Sequence, residues 1–200
     1  MQPPTQAPPS PAPEEMLALQ ARAATLAQRV INQVGDEQMG DPTPCAEWDV
    51  RALLGHMVGG NRMVATIVGG GEMEMATPAE VLLGDDPRAA FAESAAAADA
   101  ALRAEGALGR LHRMPFGEVP GAMVAGMRFV DILIHTWDLA KATGQSTTLD
   151  PEVCQTGLML ARMRLGEAPR PPGSRIGPEV VVAADAPVCD RFAAYLGRQP

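Results

Sequence analysis

Four polar residues, Arg128, Asp131, His135 and Asp138, punctuate a run whose other members include Phe129, Val130, Ile132, Leu133, Ile134 and Leu139. Intervals of three and four residues stack these polar groups along one face of a helix as a single seam. A helix apolar on its remaining sides is a buried one, and a carboxylate and an imidazole buried without partners are costly. A cation supplies the compensation, because Asp131 and His135, one turn apart, can reach the same ion. His56 is the third candidate ligand: Leu53, Met57, Gly60 and Met63 place it on the apolar face of its own helical segment. Two histidines and one carboxylate form an open divalent-metal site, with a position left for water or substrate. A hydrogen-bonded core histidine and a simple Asp/His ion pair are the alternatives that spacing alone leaves open.

The neighbours of these three residues have two readings each. Arg128 is a candidate to bind a carboxylate of a small-molecule substrate or cofactor, or else it pairs with an acidic neighbour. Asp138 either orients a ligand histidine from behind or makes a structural hydrogen bond beside Trp137. Asn61 is a candidate pocket-lining residue, with a surface position as the alternative. His112, between Arg110 and Arg113, reads as an exposed loop residue. Cys45 sits in a Pro-rich loop with neither a base nor a helix N-terminus at the cysteine itself, so a buried structural thiol is expected.

These residues must be carried by helices. Leu17, Ala21, Ala24, Leu26, Val30, Ile31 and Val34 follow a helical repeat that Gly35 ends. Pro42 and Pro44 make 40–48 a structured loop. Asp49 then caps a helix over 50–68, with Trp48 expected to pack on Leu53, and Gly69 to Gly71 stop it rather than cradle a phosphate. Asp86-Pro87 opens an Ala-rich helix to Arg103, 111–121 reads as a loop, and the seam lies on a helix over 122–143 that Gly144 stops. Asp150-Pro151 starts a shorter helix to Leu165. Val180 to Val182 are expected to form a short strand, and Val188, Phe192, Tyr195 and Leu196 a last helical stripe.

The composition agrees with an all-α chain. Of 200 residues, 46% are hydrophobic and only 4% aromatic, which favours helices over a sheet. The length predicts one domain over 14–200, preceded by a disordered Pro-rich arm over 1–13. A net charge of −8 argues against nucleic acid and anionic membranes as partners. Three scattered cysteines, Cys45, Cys154 and Cys189, predict neither a disulfide framework nor a thiolate metal site. No signal peptide or membrane span is read, so a cytoplasmic protein is expected. A homodimer is compatible with this reading.

The motif Thr43-Pro44-Cys45, Trp48-Asp49 and His56, followed by Asp131-x-x-x-His135-x-Trp137-Asp138-Leu139-Ala140, resembles the DinB-like metal-binding superfamily. Within it, the chain is most similar to the actinobacterial branch named after mycothiol-dependent maleylpyruvate isomerase, from the first helix to the closing Leu196-Gly197-Arg198-Gln199-Pro200. The resemblance implies a DinB/YfiT-like up-down-down-up four-helix bundle, here with a short C-terminal extension. It also implies a divalent metal, zinc first with nickel, iron, manganese or cobalt as alternatives, on His56, Asp131 and His135. Asp131 stands where the isomerase carries the longer Glu, and the chain has no room for the isomerase's additional C-terminal domain. The activity so implied is that of a thiol-dependent isomerase or S-transferase, with mycothiol as the low-molecular-weight thiol attacking a small electrophilic substrate. Hydrolase or lyase chemistry through metal-bound water is a second expectation, and a non-catalytic, metal-stapled binding module a third.

Overall fold

The computed structural model describes residues 11–72, 77–114, 116–170 and 176–200. Its elements in chain order are α1 (Pro13–Ile31), a short 3-10 turn (Asp36–Gly40), α2 (Val50–Val68), α3 (Ala79–Leu83), α4 (Pro87–Arg103), β1 (Leu111–Met114), β2 (Gly117–Pro120), α5 (Gly121–Ala142), α6 (Pro151–Leu165) and α7 (Val188–Tyr195). Four long helices make the bundle. α1 packs on α5 and α4, and α2 packs on the same two, which closes a ring in the order α1, α5, α2, α4. This is the up-down-down-up arrangement of DinB-like proteins, with α6 and α7 as the C-terminal extension.

Local chemistry sets the helix starts. Asp49 accepts from the Ala52 amide at 2.8 Å, Asp86 from Arg88 and Ala89 at 2.9 and 3.1 Å, and Asp150 from Glu152 and Val153 at 3.1 and 3.2 Å. Each carboxylate satisfies amides that have no partner in the first turn. At the far end of α5, Gly144 takes φ +69°, and the Gln145 amide reaches back to the Ala140 carbonyl at 2.8 Å. Such a left-handed closing residue favours glycine, as expected for this stop.

The core is continuous. Phe91, Leu53, Leu54, Met57, Phe129, Ile132, Leu133 and Trp137 are fully buried among the bundle helices, and Phe192 and Tyr195 extend the same core under α7. α5 is its axis: every residue from Ile132 to Ala140 is buried, which agrees with a helix apolar on nearly all sides. Among the described residues, no helix is long and apolar enough to cross a membrane.

Several expectations are corrected. The segment 111–121 holds an antiparallel hairpin, with His112 opposite Val119, rather than an irregular loop. His112 is buried, its Nε2 2.8 Å from the Ala107 carbonyl, because the strand turns it inward between two exposed residues. Val180 to Val182 form no strand; the Val180 amide instead donates to the Ala194 carbonyl of α7 at 2.9 Å, and Val181 is exposed. Cys154 and Cys189 are joined as a disulfide with Cα atoms 5.0 Å apart, because α6 and α7 pack their cysteine-bearing faces together. α1 begins at Pro13, inside the expected arm, and residues 1–10 of that arm lie outside the described residues.

Candidate metal centre

α2 and α5 cross so that His56 faces the seam. His56 Nε2 is 3.3 Å from Asp131 Oδ1, and His135 Nε2 is 3.5 Å from the same oxygen. One donor atom from each residue falls within 4.8 Å of the others, a spacing at which a single ion can bind all three. The cluster is open on one side. The side chains of His56 and Asp131 are 34% and 35% exposed, whereas His135 lies deeper at 8%.

The rest of the seam holds these donors in place. Arg128 is buried, and all three of its guanidinium nitrogens have partners inside the protein: Nη1 meets Asp131 Oδ2, Nε donates to Asn61 Oδ1 at 3.0 Å, and Nη2 donates to the Met57 carbonyl. Gly60 makes room for it, since a Cβ there would sit 2.3 Å from Arg128 Nη1. A mid-helix glycine weakens α2 by about 1 kcal/mol relative to alanine, and the room it leaves for the Arg128 guanidinium accounts for its place here. Asn61 is fully buried, where a surface position was the alternative, and its amide also donates to Ser94 Oγ on α4 at 3.2 Å. The α2 face bearing Asn61 is thus turned into the bundle, where Asn61 holds the guanidinium of Arg128 and Arg128 in turn holds Asp131.

On the other side of His135, Nδ1 donates to Asp138 Oδ2 at 2.9 Å, which leaves Nε2 to point at Asp131 and His56. Asp138 is fully buried. It also accepts from Arg198, which follows α7, and from the Cys45 thiol at 3.3 Å. Cys45 is therefore not remote from a base as its sequence neighbourhood suggested: Sγ is 3.9 Å from His135 Nδ1. The loop that delivers it is tied by Thr43, whose hydroxyl donates to the Trp48 carbonyl at 2.7 Å and accepts from the Cys45 amide at 3.1 Å. Trp48 lies over His56, ring centres 4.6 Å apart, and forms a wall of the cluster.

Charge follows from this geometry. Burial favours neutral Asp131, yet hydrogen bonds from His135 and His56 and the charge of Arg128 outweigh it and hold the carboxyl well below its usual range. Burial likewise works against a charged His135, but Asp131, then Asp138 and Cys45, raise its pKa well above the ordinary imidazole range. Asp138 is held low against burial by His135 and Arg198. Without an ion, the seam is thus a buried network of ion pairs.

A ring of four helices with a His/Asp/His cluster on α2 and α5, the second and fourth bundle helices in chain order, defines a DinB-like helical bundle protein. The chain belongs to the family of the mycothiol maleylpyruvate isomerase N-terminal domain, whose model matches residues 19–140. Two uncharacterized proteins from two strains of Mycobacterium tuberculosis are each 38% identical over 177 residues, covering 88% of this chain and 94% of theirs. A crystal structure of the mycothiol-dependent maleylpyruvate isomerase aligns with a TM-score of 0.61 at 22% identity, over 73% of this chain and 68% of that one. A mutant of that isomerase gives a TM-score of 0.57 at 20% identity, over 64% of this chain and 61% of that one. At such identity the likeness speaks for the fold, and this chain spans only about two-thirds of the isomerase structures.

Proposed function

We propose that this protein binds one divalent ion, zinc in the first instance, through His56 Nε2, Asp131 and His135 Nε2, and is a mycothiol-dependent isomerase or S-transferase for a small electrophile. The observation that carries the reading is the convergence of these donors, within 4.8 Å, where His56 and Asp131 are partly exposed at the bundle surface. Family membership supports the thiol, because the family takes its name from a mycothiol-dependent enzyme. The donor set fits a divalent ion: two imidazole nitrogens and one carboxylate oxygen, with His135 Nδ1 held by Asp138 and Asp131 Oδ2 held by Arg128. When bound, the ion lowers the pKa of a thiol that reaches it, so that a thiolate is present at neutral pH.

The protein's own groups have separable tasks. Arg128 neutralises and fixes Asp131, so that one oxygen stays turned toward the two histidines. Asp138 keeps His135 in the tautomer that frees Nε2. Trp48 covers one flank of His56 and narrows the opening. The exposed edges of His56 and Asp131 mark where thiol and substrate enter. A cytoplasmic setting belongs to the same proposal, although a disulfide such as Cys154–Cys189 is uncommon where low-molecular-weight thiols stay reduced.

The test begins with metal content per chain for protein prepared without chelators or a nickel column. Near-unit occupancy is expected, together with a sulfur-to-metal absorption band when mycothiol is added to the cobalt form and thiol-dependent turnover of an electrophile panel. Folded protein that stays metal-free in zinc titrations would overturn the metal reading; a cobalt form unchanged by thiol, with thiol-independent or absent turnover, would overturn the thiol reading.

Protons compete for the site in a defined direction. His135 keeps its second proton above the usual imidazole range, so an ion must displace it from Nε2. Zinc affinity is expected to rise with pH through and beyond the ordinary imidazole range, with release of about one proton per ion near neutrality. Calorimetry in buffers of different ionisation heat measures this number, and release near zero would contradict a proton-blocked His135. The metal-free fold runs the other way. A raised folded pKa stabilises below the unfolded imidazole value, and this contribution is lost as pH rises through the folded value. The gain in melting temperature on adding zinc is therefore expected to widen toward alkaline pH.

A further inference from the structure

We propose that Arg198, carried by the segment after α7, is a positioning residue for the metal centre: it locks Asp138 in the orientation that turns His135 Nε2 toward His56 and Asp131. The proposal rests on the reading of those three residues as ligands. Arg198 Nε lies 3.1 Å from Asp138 Oδ1 and Nη2 lies 2.9 Å from Oδ2, a two-pronged grip that fixes the carboxylate plane. His135 Nδ1 takes that same Oδ2 at 2.9 Å, and the Cys45 thiol reaches it at 3.3 Å. With both oxygens held, Asp138 cannot rotate, and the imidazole that donates to it has one ring orientation left.

The guanidinium is itself held. Nη1 donates to the Leu196 carbonyl at 2.9 Å, Nη2 contacts Cys45 Sγ at 3.5 Å, and the side chain is only 11% exposed. Without Arg198, a fully buried carboxylate would lose its one arginine partner and keep only an imidazole and a thiol. α7 does not need this arginine as an anchor. The Cys154–Cys189 disulfide, the Trp137 to Asp190 hydrogen bond and buried Phe192 and Tyr195 already fasten it to α5 and α6. Apart from the carbonyl of Leu196, the hydrogen bonds of the Arg198 side chain go to Asp138 and Cys45 beside the metal centre, while its amide closes the end of α7 on the Ala193 carbonyl. The residue also lies outside the matched 19–140, so the extension completes a site whose ligands the bundle supplies.

The test compares wild type, Arg198→Gln and Arg198→Lys as full chains. Zinc affinity comes from competition with a chromogenic chelator, and the His135 Nδ1 proton is followed by NMR as a downfield, exchange-protected imidazole resonance. Arg198→Gln is expected to weaken zinc about 10- to 100-fold, as loss of a partner behind a ligand does. It should also abolish or shift the protected resonance, with Arg198→Lys recovering part of both because it keeps the charge but not the fork. Wild-type affinity with an unchanged resonance in Arg198→Gln would overturn the proposal. If wild type binds no zinc, the ligand reading falls, and the resonance alone decides whether Arg198 positions His135: persistence refutes it, loss sustains it. Should Arg198→Gln fail to fold, the lysine variant decides by the same two readouts, with wild-type values in both refuting it.

Discussion

Replacing His135 by Ala is expected to lower zinc affinity by at least about two orders of magnitude, since loss of a ligand exceeds the 10- to 100-fold effect of losing a partner behind one. Its Nε2 lies 3.5 Å from Asp131 Oδ1, and no other described nitrogen takes that place in the cluster. The variant also strips Asp138 of one of its buried donors, so part of the effect will be structural. His56→Ala separates the two contributions. His56 is about one-third exposed, its Nε2 meets only Asp131 and its ring stacks on Trp48, so its removal should take the ion away and lower the metal-free melting temperature less than His135→Ala does. Equilibrium dialysis with zinc, run beside thermal melts of both metal-free variants, measures these expectations. Retention of near-unit zinc by His135→Ala would dismiss this cluster as the metal centre.

The largest effect on stability is expected at Trp137. Its ring is fully buried on α5, and its indole N–H donates to Asp190 of α7 at 3.1 Å. Trp137→Ala removes that packing and opens a cavity between the bundle and its extension, a change that costs about 3–5 kcal/mol. This is a large fraction of the 5–15 kcal/mol that typically holds a domain together. Trp137→Phe keeps most of the apolar contact and gives up the hydrogen bond, so about 1–2 kcal/mol is expected. Urea unfolding of both variants in the oxidised state, with the disulfide intact, checks the order. Equal losses would mean that the indole N–H, and not the ring's volume, carries the contribution.

What the sequence made legible is what repeats locally. Asp49, Asp86 and Asp150 announce helix starts within three residues of the amides they cap, and the apolar surround of Asp131 and His135 reveals a buried seam one helical turn at a time. His56 could be placed on the inner face of its helix by the same periodicity. Contacts set by tertiary packing left no such trace. Arg198 meets Asp138 across 60 residues and Cys45 meets it across 93, and only membership of the two residues in the quoted motif hinted at a shared role. Cys154 and Cys189, 35 residues apart, look unrelated until α6 and α7 pack together. Asn61 and His112 carry polar side chains whose usual place is the surface, and each is buried because a specific partner, Arg128 or the Ala107 carbonyl, satisfies it there.

The two tryptophans of the chain give the molecule a native optical probe. Trp48 stacks on His56 with the rings inclined by 30°, and Trp137, next to Asp138 in sequence, ties α5 to α7. All of the indole emission therefore originates at the seam or at the joint that brings in the extension. An ion or ligand held at His56 reaches the first fluorophore by direct stacking, while loosening of α7 reaches the second through Asp190. Excitation near the red edge of tyrosine absorption, combined with a Trp48→Phe variant, would read entry into the opening and movement of the extension as two separate signals from unlabelled protein.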